Sequence, residues 1–500
     1  MRPYTVGPVT DAPHDTDETR ARLEVARTRA ASMFAALPAE IHELGRAFAA
    51  AGHELALVGG PVRDAVLGRS SADLDFTTSA RPEQTEEILR AWNRGGALWD
   101  MGREFGTLGA ARGGLRVEVT TYRTESYDPT SRKPQVVYGD TLAGDLSRRD
   151  FTVNAMAVRL PSLELVDPFD GLADLAAEVL RTPVAPEQSF DDDPLRMMRA
   201  VRFVSQLGFR IEQGTADAVR ALAERIGIVS AERVREELVK LLLGAHPRAG
   251  LEQMVELGLA RHVLPELPAL QLEIDEHHHH KDVYQHSLTV LEQAIDLESA
   301  PGSGGPCEGP DLVLRLAALL HDIGKPATRR YEAGGVVTFR HHDVVGAKLT
   351  VKRMKALAFD KDTTKQVARL VELHLRFHGY ADSAWTDSAV RRYVTDAGPL
   401  LEHLHRLTRA DVTTRNRRKS RALARAYDEL EARIAELAQQ EEIGRIRPDL
   451  DGNEIMQILD LAPGREVGEA YKHLLELRME HGPLGRERAE EELRAWWAAR

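Results

Sequence analysis

The sequence predicts an α+β head at its amino end followed by a largely all-α body. Three observations predict it. The chain has 500 residues, several times the ~150 of a typical domain, so more than one core is expected. Short apolar runs of strand length, set off by Gly and Pro, cluster in roughly the first third of the chain. From Pro194 onward apolar residues recur at helical spacing almost to the end.

The elements follow in order. Residues 1–35 are expected to be a disordered extension, loosely helical at most up to about Ala30, with Pro, Asp and Thr early on. The spacing of Ile41, Leu44 and Phe48 predicts a helix over 38–51, stopped by Gly52. Glu54 to Val58 reads as a short strand running into Gly59-Gly60-Pro61, and Leu74-Asp-Phe76 as a second. Leu115 to Thr121 alternates, which predicts a strand with Glu118 and Thr120 on one face. Ala155–Leu160 and Leu163–Val166 are expected to pair as a hairpin. A helix opens with Asp193 as its N-cap and Pro194 at its first position and runs through Phe203, and Ser230 caps another reaching Leu243. The loop Ser299–Pro310 is not a domain boundary, because histidines of one series lie on both sides of it. The expected domains are a catalytic head (36–180), a helical neck (181–268), a metal-binding domain (269–435) and a helical tail (436–500).

Composition narrows the function classes. Apolar residues make up 43% and charged residues 29%, which excludes global disorder and fibrous repeats. No apolar run approaches the ~18 residues of a membrane span. A polar, acidic start and a single cysteine, Cys307, predict a reducing, cytoplasmic setting without an intrachain disulfide. A net charge of -12 excludes a bulk basic coat for nucleic acid but not a local basic strip.

The first chemical constellation is Leu57-Val-Gly-Gly-Pro-Val-Arg-Asp64 followed by Asp73-Leu-Asp75. Gly59 and Gly60 let backbone amides approach a triphosphate where a side chain would collide. Asp73 and Asp75, two apart on a strand, share a face and can hold divalent ions together, with Glu118 as the third carboxylate. Such ions activate an attacking hydroxyl and neutralise a leaving pyrophosphate.

This segment resembles the polymerase-beta-type nucleotidyltransferase superfamily. The motifs after it resemble the bacterial tRNA CCA-adding and poly(A) polymerase family: Asp145-Leu-Ser-Arg-Arg-Asp-Phe-Thr-Val-Asn-Ala155, Asp167-Pro-Phe-Asp-Gly171 and Asp192-Asp-Pro-Leu-Arg-Met-Met-Arg-Ala-Val-Arg-Phe203. The resemblance covers roughly 57–243. It implies a polymerase-beta-like head, Mg²⁺ at Asp73 and Asp75, CTP and ATP as substrates and tRNA as partner. It also implies nucleotide binding by Arg63, Asp145, Arg148, Arg149, Asp150 and Asn154. Asp193 and Arg196 have a physical reading of their own. Cytosine and adenine both offer an amine beside a ring-nitrogen acceptor, so a carboxylate with a guanidinium selects both, whereas uracil and guanine present the reverse order. Arg196, Arg199 and Arg202 follow at three-residue steps along one side of the helix.

The second constellation is His286, His321-Asp322, His341-His342, His374 and Asp411. Leu319-Leu-His-Asp-Ile-Gly-Lys325 resembles the HD phosphohydrolase signature. That resemblance implies one divalent metal, of unassigned identity, on His286, His321, Asp322 and Asp411, with His342 and His374 completing a second site. Whether His341 or His342 faces inward is open. The run His277 to His280 is given no catalytic role. A basic strip of Arg415, Arg417, Arg418, Lys419, Arg421 and Arg425 is either a tRNA phosphate contact or a solvated helix face. Aromatics are 5% of the chain and absent from the strip, which favours recognition of RNA shape over base stacking. The expected activity is template-independent CCA addition to tRNA. Poly(A) synthesis, A-only or CC-only addition, and a protein whose main activity is HD phosphohydrolysis remain alternatives.

Overall fold

Alternation along Leu115–Thr121 organises the head: Val117, Val119 and Thr121 are buried, whereas Arg116, Glu118 and Thr120 lie on the opposite, more open face. The computed structural model describes residues 17–70, 74–102, 106–126, 135–139, 141–271, 282–298, 310–333, 337–377, 385–413, 416–441 and 446–500. Contacts divide the chain into two units, Met1–Val263 and Leu264–Arg500.

The first unit is built on a seven-stranded sheet. Its strands are β1 (Leu55–Val58), β2 (Leu74–Thr78), β3 (Leu98–Gly102), β4 (Thr107–Arg112), β5 (Leu115–Thr121), β8 (Ala157–Leu160) and β9 (Leu165–Val166), while β6 (Arg123–Ser126) and β7 (Gln135–Tyr138) form a separate pair. The order is β3-β4-β5-β2-β1-β8-β9, and only β2 and β5 run parallel. Two registers position the site. Leu57 opposite Phe76 brings the start of β2 alongside the glycine end of β1, and Asp75 sits opposite Glu118. The expected hairpin is present as β8 and β9.

Residues 17–35 of the expected extension are not disordered but take up its helical alternative as α1 (Asp17–Ala35), which buries Ala30 and Phe34. Most of its surface is polar, and burial of these two side chains anchors it. Residues 1–16 lie outside the described residues. The remaining helices near the sheet are α2 (Ala39–Ala50), α3 (Gly60–Val66), α4 (Pro82–Trp92), α5 (Leu142–Ser147) and α6 (Gly171–Ala177). In α2, Ile41, Leu44 and Phe48 are buried, as their spacing predicts. Two further helices, α7 (Pro186–Asp192) and α8 (Leu195–Leu207), lead into a helical layer. There α8 buries Met197, Met198 and Val201 and packs against helices Ala231–Leu242 and Pro247–Glu256. Pro194 occupies the N-cap of α8, one residue later than expected, and the Asp193 side chain accepts from Leu195 N at 3.1 Å. Ser230 is the N-cap of helix Ala231–Leu242 but makes no side-chain cap bond.

Among its described residues the second unit is helical apart from one two-stranded ribbon. Helices Val283–Glu298, Leu312–Leu320, His342–Ala356, Lys361–Leu373 and Leu401–Ala410 surround the histidine series. Helix Arg417–Glu441 runs unbroken through position 435. Three final helices, Gly452–Leu459, Arg465–His481 and Arg486–Ala498, close a small core of Leu450, Ile455, Ala470, Leu474, Ala489 and Leu493. Among the described residues no helix is long and apolar enough to cross a membrane.

Candidate functional sites

The parallel register that sets Asp75 opposite Glu118 turns both carboxylates into one cavity of about 530 Å³, which Leu74, Ala97, Trp99, Ala111 and Arg116 also line. Two acids on one open face suit a hard divalent cation with oxygen preference. Asp73 lies outside the described residues.

Gly59 leaves β1 at φ 73°, and a Cβ there would stand 2.9 Å from Arg149 Nη1. Glycine alone takes this backbone conformation readily and leaves the guanidinium its place. Asp145, fully buried, holds the neighbouring arginines. Arg148 donates to Oδ1 through Nε at 3.0 Å and Nη2 at 2.8 Å, and Arg149 Nη2 lies 3.5 Å from Oδ2. Burial alone would raise the Asp145 carboxyl, but the two guanidiniums outweigh it and hold it below the usual range.

A second chain of bonds ties α3, the segment after α5, and α8 together. Asp150 accepts from Phe151 N at 2.8 Å, Asn154 Nδ2 at 2.9 Å and Arg199 Nε at 2.7 Å. Burial pushes its carboxyl up, yet the Arg199 charge and these hydrogen bonds bring it down to about 2. Arg63 Nη1 donates to Asn154 Oδ1 at 2.8 Å, and Arg63 and Arg199 both lie over the Phe203 ring. Of the predicted nucleotide residues, Gly59, Arg63, Asp145, Arg148, Arg149, Asp150, Asn154 and Arg199 thus join two linked clusters, and Gly60 begins α3.

Arg196 N donates to the Asp193 carbonyl at 3.0 Å, but the two side chains are turned to other partners. Asp193 Oδ2 lies 3.3 Å from Arg233, and Arg196 donates to Ser189 and to the Arg148 carbonyl. Sequence reasoning missed Ser189 and Arg233. Neither carries a local signal, since both come from outside the recognised motifs.

In the second unit, four imidazoles and two carboxylates converge. His286 Nε2 lies 3.0 Å from Asp411 Oδ1, and His321 Nε2 lies 3.2 Å from Asp322 Oδ2 and 3.3 Å from His286 Nε2. On the other oxygen, Asp322 Oδ1 is 3.3 Å from His342 Nε2 and 4.0 Å from His374 Nε2. The Nδ1 atoms of His321, His342 and His374 are turned to the carbonyls of Ala318, Phe339 and Val371, at 2.9, 2.8 and 2.6 Å. In the neutral ring, donation there leaves Nε2 as the lone-pair nitrogen, the tautomer a metal takes. His342 is the inward residue: it is buried, while His341 is exposed at φ 63°. A Cβ on Gly324 would meet His342 O at 2.1 Å, so glycine there lets the His321-Asp322 turn seat against that helix start.

The donor set fits a cation. His342 Nε2 and His374 Nε2 are buried without a hydrogen-bond partner, and Asp322 Oδ2, 2.9 Å from Lys325 Nζ in an ion pair, accepts no hydrogen bond either. Burial opposes a charge on His321, but Asp322 and Asp411 lift its ring to about 9, whereas burial and His321 press His374 down to about 4. The acids therefore call for positive charge at this centre.

Of the basic strip, Arg415 lies outside the described residues and Arg417 begins helix Arg417–Glu441. Arg418, Lys419, Arg421 and Arg425 are exposed in its first turns, and Asn416 Oδ1 accepts from the amides of Arg418 and Lys419. Cations at a helix start oppose its dipole, so this placement does not stabilise the helix. The run His277 to His280 and most of the loop Ser299–Pro310 lie outside the described residues.

Three family profiles match: the poly A polymerase head domain over residues 55–181, "Probable RNA and SrmB-binding site of polymerase A" over 208–270, and the HD domain over 283–438. The A-adding tRNA nucleotidyltransferase of Deinococcus radiodurans is 36% identical over 429 residues, 85% of this chain and 91% of that one. The CCA-adding enzyme of Lactiplantibacillus plantarum is 43% identical over 215 residues, 43% of this chain and 51% of that one. The chain thus aligns with about half the length of the CCA-adding enzymes it matches in sequence. The crystal structure of the Bacillus stearothermophilus CCA-adding enzyme in complex with CTP shares the fold at 23% identity, covering 92% of this chain and 97% of that one, with a TM-score of 0.65. The Thermotoga maritima CCA-adding enzyme complexed with tRNA does so at 20% identity, covering 95% and 98%, with a TM-score of 0.58.

Proposed function

The chain belongs to the tRNA nucleotidyltransferase family that carries a poly(A)-polymerase head and an HD domain, and from that premise we propose that it adds CMP and AMP to the 3′ end of tRNA from CTP and ATP. The tRNA 3′-hydroxyl attacks the α-phosphorus, the bond to the β-phosphate breaks, and pyrophosphate leaves. The observation that carries the reading is the Asp75–Glu118 register beside the Gly59 turn. Asp73, Asp75 and Glu118 would hold Mg²⁺, which supplies charge neutralisation at the reacting phosphate when bound. Arg63, Arg148, Arg149 and Arg199 would face the triphosphate, fixed by Asp145 and Asp150 so that little reorganisation remains at the moment of transfer. Such catalysis is chiefly positioning and electrostatics. Asp193 and Arg196 would read the shared edge of cytosine and adenine. The exposed Arg418, Lys419 and Arg421, with Arg415 and Arg417, would meet tRNA phosphates.

The deciding experiment gives purified protein tRNA that lacks its CCA end, with each labelled NTP singly and in pairs. Sequential C, C and A incorporation is expected; A alone, on tRNA already ending in CC, replaces the reading with A-only addition. That second reading is favoured by the long match to an A-adding enzyme.

We propose further that the second unit is a divalent-metal phosphohydrolase site. His286, His321, Asp322 and Asp411 would hold one ion, and His342 and His374, with Asp322, would complete a second site. Imidazole and carboxylate donors suit Mn, Fe, Ni, Zn or Mg rather than one selected ion. Incubation of the Mn-loaded chain with phosphomonoesters and 2′,3′-cyclic nucleotides tests it, and no metal-dependent phosphate release from either class would exclude it.

A further inference from the structure

Arg196 is 7% exposed, and most of its hydrogen-bonding capacity is already committed within the protein. Its Nη1 donates to Ser189 Oγ at 2.8 Å and to Ser189 O at 3.3 Å, and its Nη2 donates to the Arg148 carbonyl. A guanidinium has five N–H donors. Three are therefore engaged, and Nε–H with one Nη2–H bonds nothing among the described residues. Ser189 is 0% exposed and sits on α7, outside every motif that marks the nucleotide site.

We propose that Ser189 is a positioning residue for nucleobase selection, acting by clamping the Arg196 guanidinium so that its remaining donors stay at one place. The inference rests on the reading of Arg196 as the group that meets the base. Cytosine and adenine offer a ring nitrogen acceptor beside an amine, whereas uracil and guanine offer an N–H beside a carbonyl. A guanidinium free to swing could follow the carbonyl of a wrong base and bond it nearly as well. A clamped one cannot, so the wrong base meets donor against donor. The bond to the Arg148 carbonyl adds a second consequence. The base-reading group is braced against the same segment whose Arg148 and Arg149 face the triphosphate, so base and phosphate are registered by one rigid strut.

The test measures kcat and KM for CTP, ATP, UTP and GTP separately, on tRNA lacking its CCA end. Ser189→Ala removes the hydroxyl acceptor while Ser189 O and the Arg148 carbonyl remain. It is expected to raise KM for CTP and ATP about tenfold, the worth of one hydrogen bond to a charged group. The kcat/KM ratio of CTP to UTP should fall by a similar factor, and Ser189→Thr should restore both. A merely structural role would lower the active fraction for all four nucleotides and leave that ratio unmoved. Should Ser189→Ala not fold, Ser189→Cys, close in shape but a poorer acceptor, gives the same ratio measurement. Arg196→Ala separates the two ways of failing. If it collapses discrimination while Ser189→Ala keeps it, the clamp is refuted and the base reading stands. If Arg196→Ala still discriminates, the base reading is refuted and the clamp with it.

Discussion

Replacing Asp150 by Asn keeps the shape of a buried side chain and removes its charge, taking from the Arg199 fork its salt-bridge partner. The carboxyl stands at about 2 in the folded chain against an ordinary 3.8, a difference that corresponds to about 2 kcal/mol at neutral pH. Its sign follows from linkage. A carboxyl depressed by folding stabilises above its unfolded value, and that stabilisation fades as pH falls through the folded one. The Asn variant should therefore be about 2 kcal/mol less stable at pH 7, about 1 kcal/mol less at pH 3, and nearly level with the parent near pH 2. Trp92 and Trp99 can report the first unit alone if Trp385, Trp496 and Trp497, the other three of the five tryptophans, are changed to Phe. Urea unfolding of that chain, with and without Asp150→Asn, measures the difference at each pH. A deficit that stays constant from pH 7 to pH 3 would refute the argument that the Arg199 pair and its hydrogen bonds depress this group.

Further outcomes are expected. Glu118→Gln, on the half-open face of β5, should leave urea stability unchanged and lower nucleotide addition by about 10²–10³, the usual loss of a charge-stabilising group; activity within tenfold of the parent speaks against its role. Asp322→Ala should abolish Mn binding measured by elemental analysis after dialysis, while CMP and AMP addition stays within about twofold, because the chemistry of transfer is assigned to the other unit. Changing Arg418, Lys419 and Arg421 together to Ala should reduce the slope of log tRNA affinity against log salt by about 2–3, and an unchanged slope makes that face a merely solvated one.

The parts of the fold legible in the sequence are those where burial enforces a period. Val117, Val119 and Thr121 must point inward, so Glu118 must point out, and the strand could be read with its functional face. The glycine turn was legible for a similar reason, since Gly59 adopts a backbone conformation few other residues tolerate. Helix α1 was legible only loosely, because its first two-thirds are rich in charge and only Ala30 and Phe34 anchor it by burial. Adjacent histidines at 341 and 342 are chemically equal in sequence; a left-handed backbone at His341 decides which one faces in. The partners of Asp193 and Arg196 were hidden too, since Arg233 comes from a distant helix and Ser189, though only seven residues before Arg196, lies outside the motif.

Three rings of the histidine cluster are pinned through Nδ1 to peptide carbonyls three positions earlier in the chain. Peptide oxygens cannot be mutated away, so a change of neighbouring side chain cannot flip these tautomers. Swapping one cation for another should accordingly cost little rearrangement of the imidazoles, and preference among ions must arise from the size and acidity of the chamber they share. An emptied centre would keep its outline, ready to be refilled.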